Sequence, residues 1–222
     1  MSVNATLGGV PGFLAQPAGK GPWPGLVVVQ EWWGLDAQTE SIATRFAAEG
    51  YLAFSPDIFR GDLATLGDTK TALAYTHKHA SHTGADMVAV YDALKLHSDS
   101  TGRVGSVGFC FGGRVSLALG LDRPVDAVCT FYGGGMQTLF GRMDRFYSPV
   151  LGLFGDEDVS IPPGTIDEFR AILKRIGVEN EVVVYPHSGH AFFRDSDPEA
   201  YRPHAAQDAW NKAKAFFEDH LK

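Results

Sequence analysis

Gly108-Phe109-Cys110-Phe111-Gly112 places a thiol where a nucleophile belongs. The run before it, Arg103-Val104-Gly105-Ser106-Val107, is short and apolar and predicts a buried strand. The run after it, Gly113 to Leu121, is rich in Ala, Leu, Val and Ser and predicts a helix. A Gly-x-nucleophile-x-Gly turn between strand and helix is strained, and its small flanking residues let the two elements approach closely. The central side chain then stands exposed beside the positive end of the helix, where the reactive thiolate is favoured. Ser is the usual residue in such a turn; here it is Cys110.

Three more residues carry matching chemistry, each just past a predicted strand. Asp158 ends the acidic turn Gly155-Asp156-Glu157-Asp158, His190 ends Pro186-His187-Ser188-Gly189-His190, and Glu31 opens Glu31-Trp32-Trp33-Gly34. The order nucleophile, acid, histidine suits acyl transfer. His190 would pair with the thiol, stabilise the thiolate and later move protons for leaving group and water. Asp158 would hold the imidazole in one tautomer and stabilise its cation. Asp156 and His187 are the competing acid and base. An oxyanion hole needs two backbone N–H groups. Phe111 supplies one, and the Glu31-Trp32-Trp33 loop the other, with Trp32 the best placed.

The remaining pattern predicts the scaffold for these groups. Ala5–Gln16, with Gly8-Gly9 and Pro11-Gly12, reads as a hairpin. Strands are expected at 26–29, 51–55, 104–107, 127–132, 149–154 and 181–185. Helices are expected at 38–49, 69–78, 84–97, after Pro162-Pro163 as far as Gly177, and at 201–221, with irregular chain over 57–68. Alternating strands and helices imply an α/β fold whose mostly parallel sheet is covered on both faces. Ligands bind such sheets at the carboxyl ends of the strands. The length, 222 residues, suits a single domain over 1–222.

Composition narrows the partners. The formal charge is -7 and no Lys/Arg-rich run occurs, which argues against nucleic acid and anionic membranes. No apolar stretch is long enough to span a bilayer, and Met1-Ser2-Val3-Asn4-Ala5 lacks the features of a signal peptide. A cytoplasmic protein, monomeric or a small homo-oligomer, is expected. Two cysteines make no disulfide framework, and Cys129, inside an apolar strand, reads as inert core. Gly102-x-x-Gly105-x-x-Gly108 does not open a helix, so it is no dinucleotide loop. His77, His79 and His82 read as a solvated helix end, with no metal site. The chemistry calls for no cofactor.

Taken together, these segments resemble the dienelactone hydrolase family of α/β-hydrolases. The resemblance rests on Gln30-Glu31-Trp32-Trp33-Gly34, Gly108-Phe109-Cys110-Phe111-Gly112-Gly113, Gly155-Asp156-Glu157-Asp158-Val159-Ser160-Ile161-Pro162 and Gly189-His190-Ala191-Phe192-Phe193-Arg194. It implies an α/β-hydrolase fold and cleavage of a small ester or lactone, with dienelactone or a related carboxylated enol-lactone leading, as in aromatic degradation. It also implies that Glu31 keeps the resting thiol neutral and takes its proton when substrate binds. A carboxylate in an apolar loop beside Trp32 and Trp33 suits a base, because apolar surroundings disfavour its charge. Arg194 matches an arginine that binds the substrate carboxylate. The family's second arginine has no clean match, although Arg60 is near and Lys70 is an alternative. Ala191 replaces a frequent hydroxyl residue. Trp32, Trp33, Phe59, Phe111, Tyr132 and Phe192 are candidates to line an apolar pocket. A carboxylesterase of other acyl preference and a catalytically silent ligand-binding member of the fold are the rival readings.

Overall fold

The computed structural model describes residues 2–222. Its eight strands follow the order β1-β2-β4-β3-β5-β6-β7-β8. They are β1 (Ser2–Leu7), β2 (Val10–Ala15), β3 (Trp23–Val29), β4 (Leu52–Pro56), β5 (Ser100–Phe109), β6 (Ala127–Phe131), β7 (Val150–Gly155) and β8 (Asn180–Tyr185). Pairing of β1 with β2 and of β2 with β4 is antiparallel, whereas β3–β4, β6–β7 and β7–β8 are parallel. Five α-helices accompany them: α1 (Ala37–Ala48), α2 (Thr69–Lys95), α3 (Phe111–Asp122), α4 (Thr165–Ile176) and α5 (Pro203–Leu221). This is the expected mostly parallel α/β arrangement. The chain clusters into two compact units, one ending at Ser106 and the other running Val107–Lys222.

In the first unit the hairpin turns at Gly8 and Gly9, both at positive φ, and pairs Leu7 with Val10. All of Leu26–Val29 is buried, as a strand covered on both faces requires. Asp36 caps α1 by accepting from the Thr39 N–H at 3.0 Å. The two helices expected at 69–78 and 84–97 are one continuous α2. Ala72, His79, Met87, Val90, Tyr91 and Leu94 are its buried residues, so tertiary packing carries the helix through weak formers such as Thr83 and Gly84. The Thr83 hydroxyl donates back to the His79 carbonyl at 2.8 Å, keeping it within the helical ladder. His79 is itself buried, and its ring bonds Asp62 and His82. A solvated helix end is therefore the wrong description of this cluster.

In the second unit, Phe109, Phe131 and Phe193 form a ring cluster with centroids 4.6–5.5 Å apart. That packing fixes the ends of β5 and β6 against the segment after β8. Amphipathic α4 buries Phe169, Ile172 and Leu173, and Gly177 ends it in the left-handed region at φ 73°. A 3-10 helix, Met136–Arg145, follows the Gly133-Gly134-Gly135 turn, where the sequence pattern indicated nothing regular. No helix among the described residues is long and apolar enough to cross a membrane.

Candidate active site

Cys110 stands between β5 and α3 at φ 53°, ψ -118°, a backbone state that L residues rarely adopt. The glycines around it are a steric requirement. A Cβ on Gly108 would lie 2.0 Å from the Gly112 carbonyl oxygen, and one on Gly113 would lie 2.7 Å from the Thr130 hydroxyl. The turn is also tied down. The Cys110 N–H donates to the Phe131 carbonyl at 3.1 Å, and the Cys110 carbonyl accepts from Gly113 and Gly134 N–H at 3.0 and 3.2 Å. Phe111 begins α3, whose first-turn N–H groups point out of the helix end.

Asp158 and His190 come from neighbouring turns after β7 and β8. Those turns are laced by the Glu157 N–H to the Ser188 carbonyl at 3.0 Å and the Asp156 N–H to the Tyr185 carbonyl at 3.1 Å. Their closeness needs Gly155, where a Cβ would lie 2.0 Å from the Ser188 oxygen. His190 Nδ1 sits 2.8 Å from Asp158 Oδ2, and Asp158 Oδ1 accepts the Ser160 N–H at 2.8 Å. The Asp158 side chain is 1% exposed. The competitors lie elsewhere: the His187 side chain is 89% exposed beside Glu157, and Asp156 faces the Ser188 N–H.

His190 has Cys110 as its other hydrogen-bond partner. Burial opposes charge on the imidazole, yet the bonds to Asp158 and Cys110 and their negative charges prevail, and the His190 pKa is pushed up to about 10. With Nδ1 on the carboxylate, Nε2 is the nitrogen left for the sulfur. The ring is braced by Tyr132, whose centroid is 5.1 Å away, and Tyr132 in turn meets Phe192 at 5.4 Å.

One charged neighbour was not singled out in the sequence. Arg114 is half-buried, with its guanidinium 5.2 Å above the Phe111 ring. Burial pulls it below its ordinary range, and negative charge at Cys110 pulls it back. The available signal was spacing, because four residues beyond the nucleophile is the same helix face.

The other proposed site residues fall as follows. Arg194 is buried, in a turn whose N–H donates to the Ala191 carbonyl at 2.8 Å. Phe192 has no exposed surface and packs between Tyr132 and Tyr185, so in this conformation it supports the His190 turn and presents no face to a ligand. In the first unit, Glu31 is buried, Trp32 half-buried and Trp33 9% exposed, the two indoles meeting edge-on at 5.3 Å. Phe59 is fully buried under His79. Arg60 grips both oxygens of Asp86 at 2.8 and 2.7 Å and reaches the Gly9 carbonyl at 3.3 Å. The ion pair and the carbonyl occupy the guanidinium that was considered for a substrate carboxylate. Cys129 is fully buried and burial drives its thiol well up, as suits an unreactive residue. Among the described residues, no group of three or more His, Cys, Asp or Glu side chains is arranged to hold a metal ion.

Comparison with known proteins places the chain in a family. The profile of the dienelactone hydrolase family matches residues 10–221. A Methylorubrum extorquens protein, whose name gives carboxymethylenebutenolidase as an unverified activity, is 32% identical over 95% of this chain and 77% of its own. A Synechocystis protein named the same way is 30% identical, covering 96% of this chain and 93% of its own. Among solved structures, a Klebsiella pneumoniae protein described as an unverified dienelactone hydrolase superposes with TM-score 0.87 at 27% identity, covering 98% of each chain.

Proposed function

The chain belongs to the dienelactone hydrolase family and is an ester-type hydrolase, and we propose that it cleaves a small ester or lactone through a thioester on Cys110. The observation that carries the reading is the run of contacts from Cys110 to His190 to Asp158, all three at the ends of strands. The steps follow from that geometry. The thiolate attacks the carbonyl carbon, and the negative charge moves to the carbonyl oxygen. The N–H groups of Phe111 and Trp32 are the donors we assign to that oxyanion. Collapse expels the alkoxide, which takes the His190 proton and leaves the thioester. His190, now neutral, takes a proton from water as the water oxygen attacks the thioester. A second collapse frees the carboxylic acid and returns the thiolate beside the imidazolium.

Glu31, on the family resemblance, is the base that first takes the thiol proton. The conformation described has Cys110 already engaged with His190, so in this scheme it corresponds to the activated arrangement. Arg114 adds positive charge beside the sulfur. Arg194 is proposed to bind a substrate carboxylate, making dienelactone or a related carboxylated enol-lactone the leading substrate. A thiolate leaves more readily than an alkoxide, so activated esters and enol-lactones suit this nucleophile better than amides.

The test is kcat/KM on dienelactone and on an uncharged activated ester, for wild type and Cys110→Ala. A wild-type preference for dienelactone, abolished in the variant, supports both chemistry and substrate. Turnover of the neutral ester alone keeps the chemistry and moves the protein to the general esterases. Full activity in the variant removes Cys110 as nucleophile.

A further inference from the structure

A second histidine system lies wholly within the first unit. His79 and His82 stand one turn apart on α2, with His79 Nδ1 2.9 Å from His82 Nε2. Their outer nitrogens face carboxylates, His79 Nε2 at 2.7 Å from Asp62 Oδ2 and His82 Nδ1 at 2.8 Å from Asp86 Oδ2. A nitrogen facing an ionised carboxylate must carry hydrogen, which accounts for one proton on each ring. The facing pair at 2.9 Å then needs one hydrogen between them. Without it two lone pairs oppose each other, and with two the N–H groups collide. The contacts therefore specify three protons over two rings, a single shared positive charge.

The surroundings agree with that count. Asp62, Asp86 and Asp57 are the acidic groups acting on the cluster, and Lys78 and Arg60 the basic ones. Three carboxylates against two cations leave one positive charge to be supplied, and the shared proton supplies it. Phe59, stacked on His79 at 5.2 Å, covers the ring.

Asp62 and Arg60 belong to the irregular 57–68 segment, so this network fastens that segment to α2. The segment in turn grips the turn after β3. The Ala64 N–H donates to the Trp33 carbonyl at 2.8 Å, and a Cβ on Gly34 would lie 2.5 Å from the Asp62 carbonyl oxygen. Trp33, Ala64 and Ala72 form one buried cluster, with Trp32 and Tyr75 packed on it. We propose that His79 and His82 are positioning residues whose shared proton holds the 57–68 segment and, through it, the Glu31–Trp33 turn in place. The catalytic consequence rests on the proposed function, which assigns the Trp32 N–H to the oxyanion and Glu31 to the thiol proton. Loss of the shared proton breaks one contact of this chain of bonds and loosens the segment.

The experiment uses the full-length protein and two readouts. Long-range 1H–15N spectra of the imidazoles near neutral pH should show three protonated nitrogens across the pair. Protection of the Ala64 amide from hydrogen exchange should fall in the same pH interval in which the third proton is lost. In His82→Phe, Ala64 protection should drop about tenfold, as for one lost hydrogen bond to a charged group. In that variant kcat for a neutral ester should fall while KM holds, and iodoacetamide should still alkylate Cys110. Two singly protonated rings near neutral pH, or Ala64 protection indifferent to that titration, overturns the proposal, and neither result requires a variant that folds. Failure of the wild type to turn over esters would instead remove the proposed function and leave the proton count and exchange test standing.

Discussion

Cys110→Ala should lower the pH at which His190 loses its proton. The imidazole is pushed from its ordinary 6.5 to about 10, against burial, by bonds and charge from Asp158 and Cys110. That displacement represents about 5 kcal/mol of preference for the imidazolium, at about 1.36 kcal/mol per pH unit. A single opposed charge within bonding reach contributes about 1–3 pH units. Removing the sulfur leaves only Asp158, so His190 should titrate about 1–3 pH units lower in the variant. The sign for stability follows from the raised value. Below about 6.5 folded and unfolded chains both hold the proton, and the full contribution is present. As pH rises towards 10 the unfolded chain has released it while the folded chain has not, and the contribution drains away. The assay is a histidine Cε1–H titration by NMR, with urea unfolding of both proteins at pH 6 and pH 9. The wild-type advantage over Cys110→Ala should be larger at pH 6. A wild-type His190 midpoint near 6.5, or one that the variant leaves unmoved, refutes the coupling between sulfur and ring.

Four further outcomes are expected. Gly108→Ala should abolish folding or cost more than about 3 kcal/mol, because the new methyl meets backbone at 2.0 Å; near-native urea unfolding would count against the elbow geometry. Thr130→Val should raise stability by about 1 kcal/mol, since the Thr130 hydroxyl is buried with no hydrogen-bond partner among the described residues; a loss in thermal unfolding would show that the hydroxyl is satisfied. Arg114→Gln should slow iodoacetamide alkylation of Cys110 by about tenfold through loss of a nearby cation, and an unchanged rate would separate Arg114 from the sulfur. Arg194→Ala should raise KM for an ester bearing a carboxylate by about tenfold or more, with little effect on its neutral counterpart; equal effects on both would end the recognition role.

The candidate site was legible in outline because its residues announce turns. Gly108 and Gly112 around Cys110, and Gly189 before His190, mark places where a side chain must sit at the end of a strand. The choice of Asp158 over Asp156 rested on its place after a predicted strand and before Ile161-Pro162, whereas the structure gives Asp158 a buried carboxylate bound to both Ser160 and His190. What escaped was tertiary in origin. The extent of α2 depends on buried contacts from both halves of the helix, and local propensity at Ser81–Gly84 argues for a break. His79 read as solvated because its partner Asp62 is 17 residues away, on a segment without periodicity. Phe192 read as pocket lining because aromatic residues suit core and cleft alike; only its rings of contact, Tyr132 and Tyr185, decide between them.

Backbone strain gathers around the proposed chemistry. Among the described residues, five non-glycine residues have positive φ: Arg60, Cys110, Tyr132, His187 and Ala191. Of these, Cys110 is the thiol, Tyr132 braces the imidazole, and Ala191 directly follows His190. Each such residue costs about 1–3 kcal/mol and persists only where its surroundings over-determine it. Here the surroundings are aromatic. Tyr132 is 1% exposed, Phe131 and Phe192 are fully buried and Phe193 is 2% exposed; burial of one such ring contributes about 1.5–3 kcal/mol. The same rings lie beside the strained residues in sequence, Phe131 before Tyr132 and Phe192 after Ala191. Packing that holds the core together therefore also holds the strained turns. In the proposed reaction, a thiol and an imidazole held within bonding reach by this aromatic cluster need little further reorganisation once the thiolate has formed.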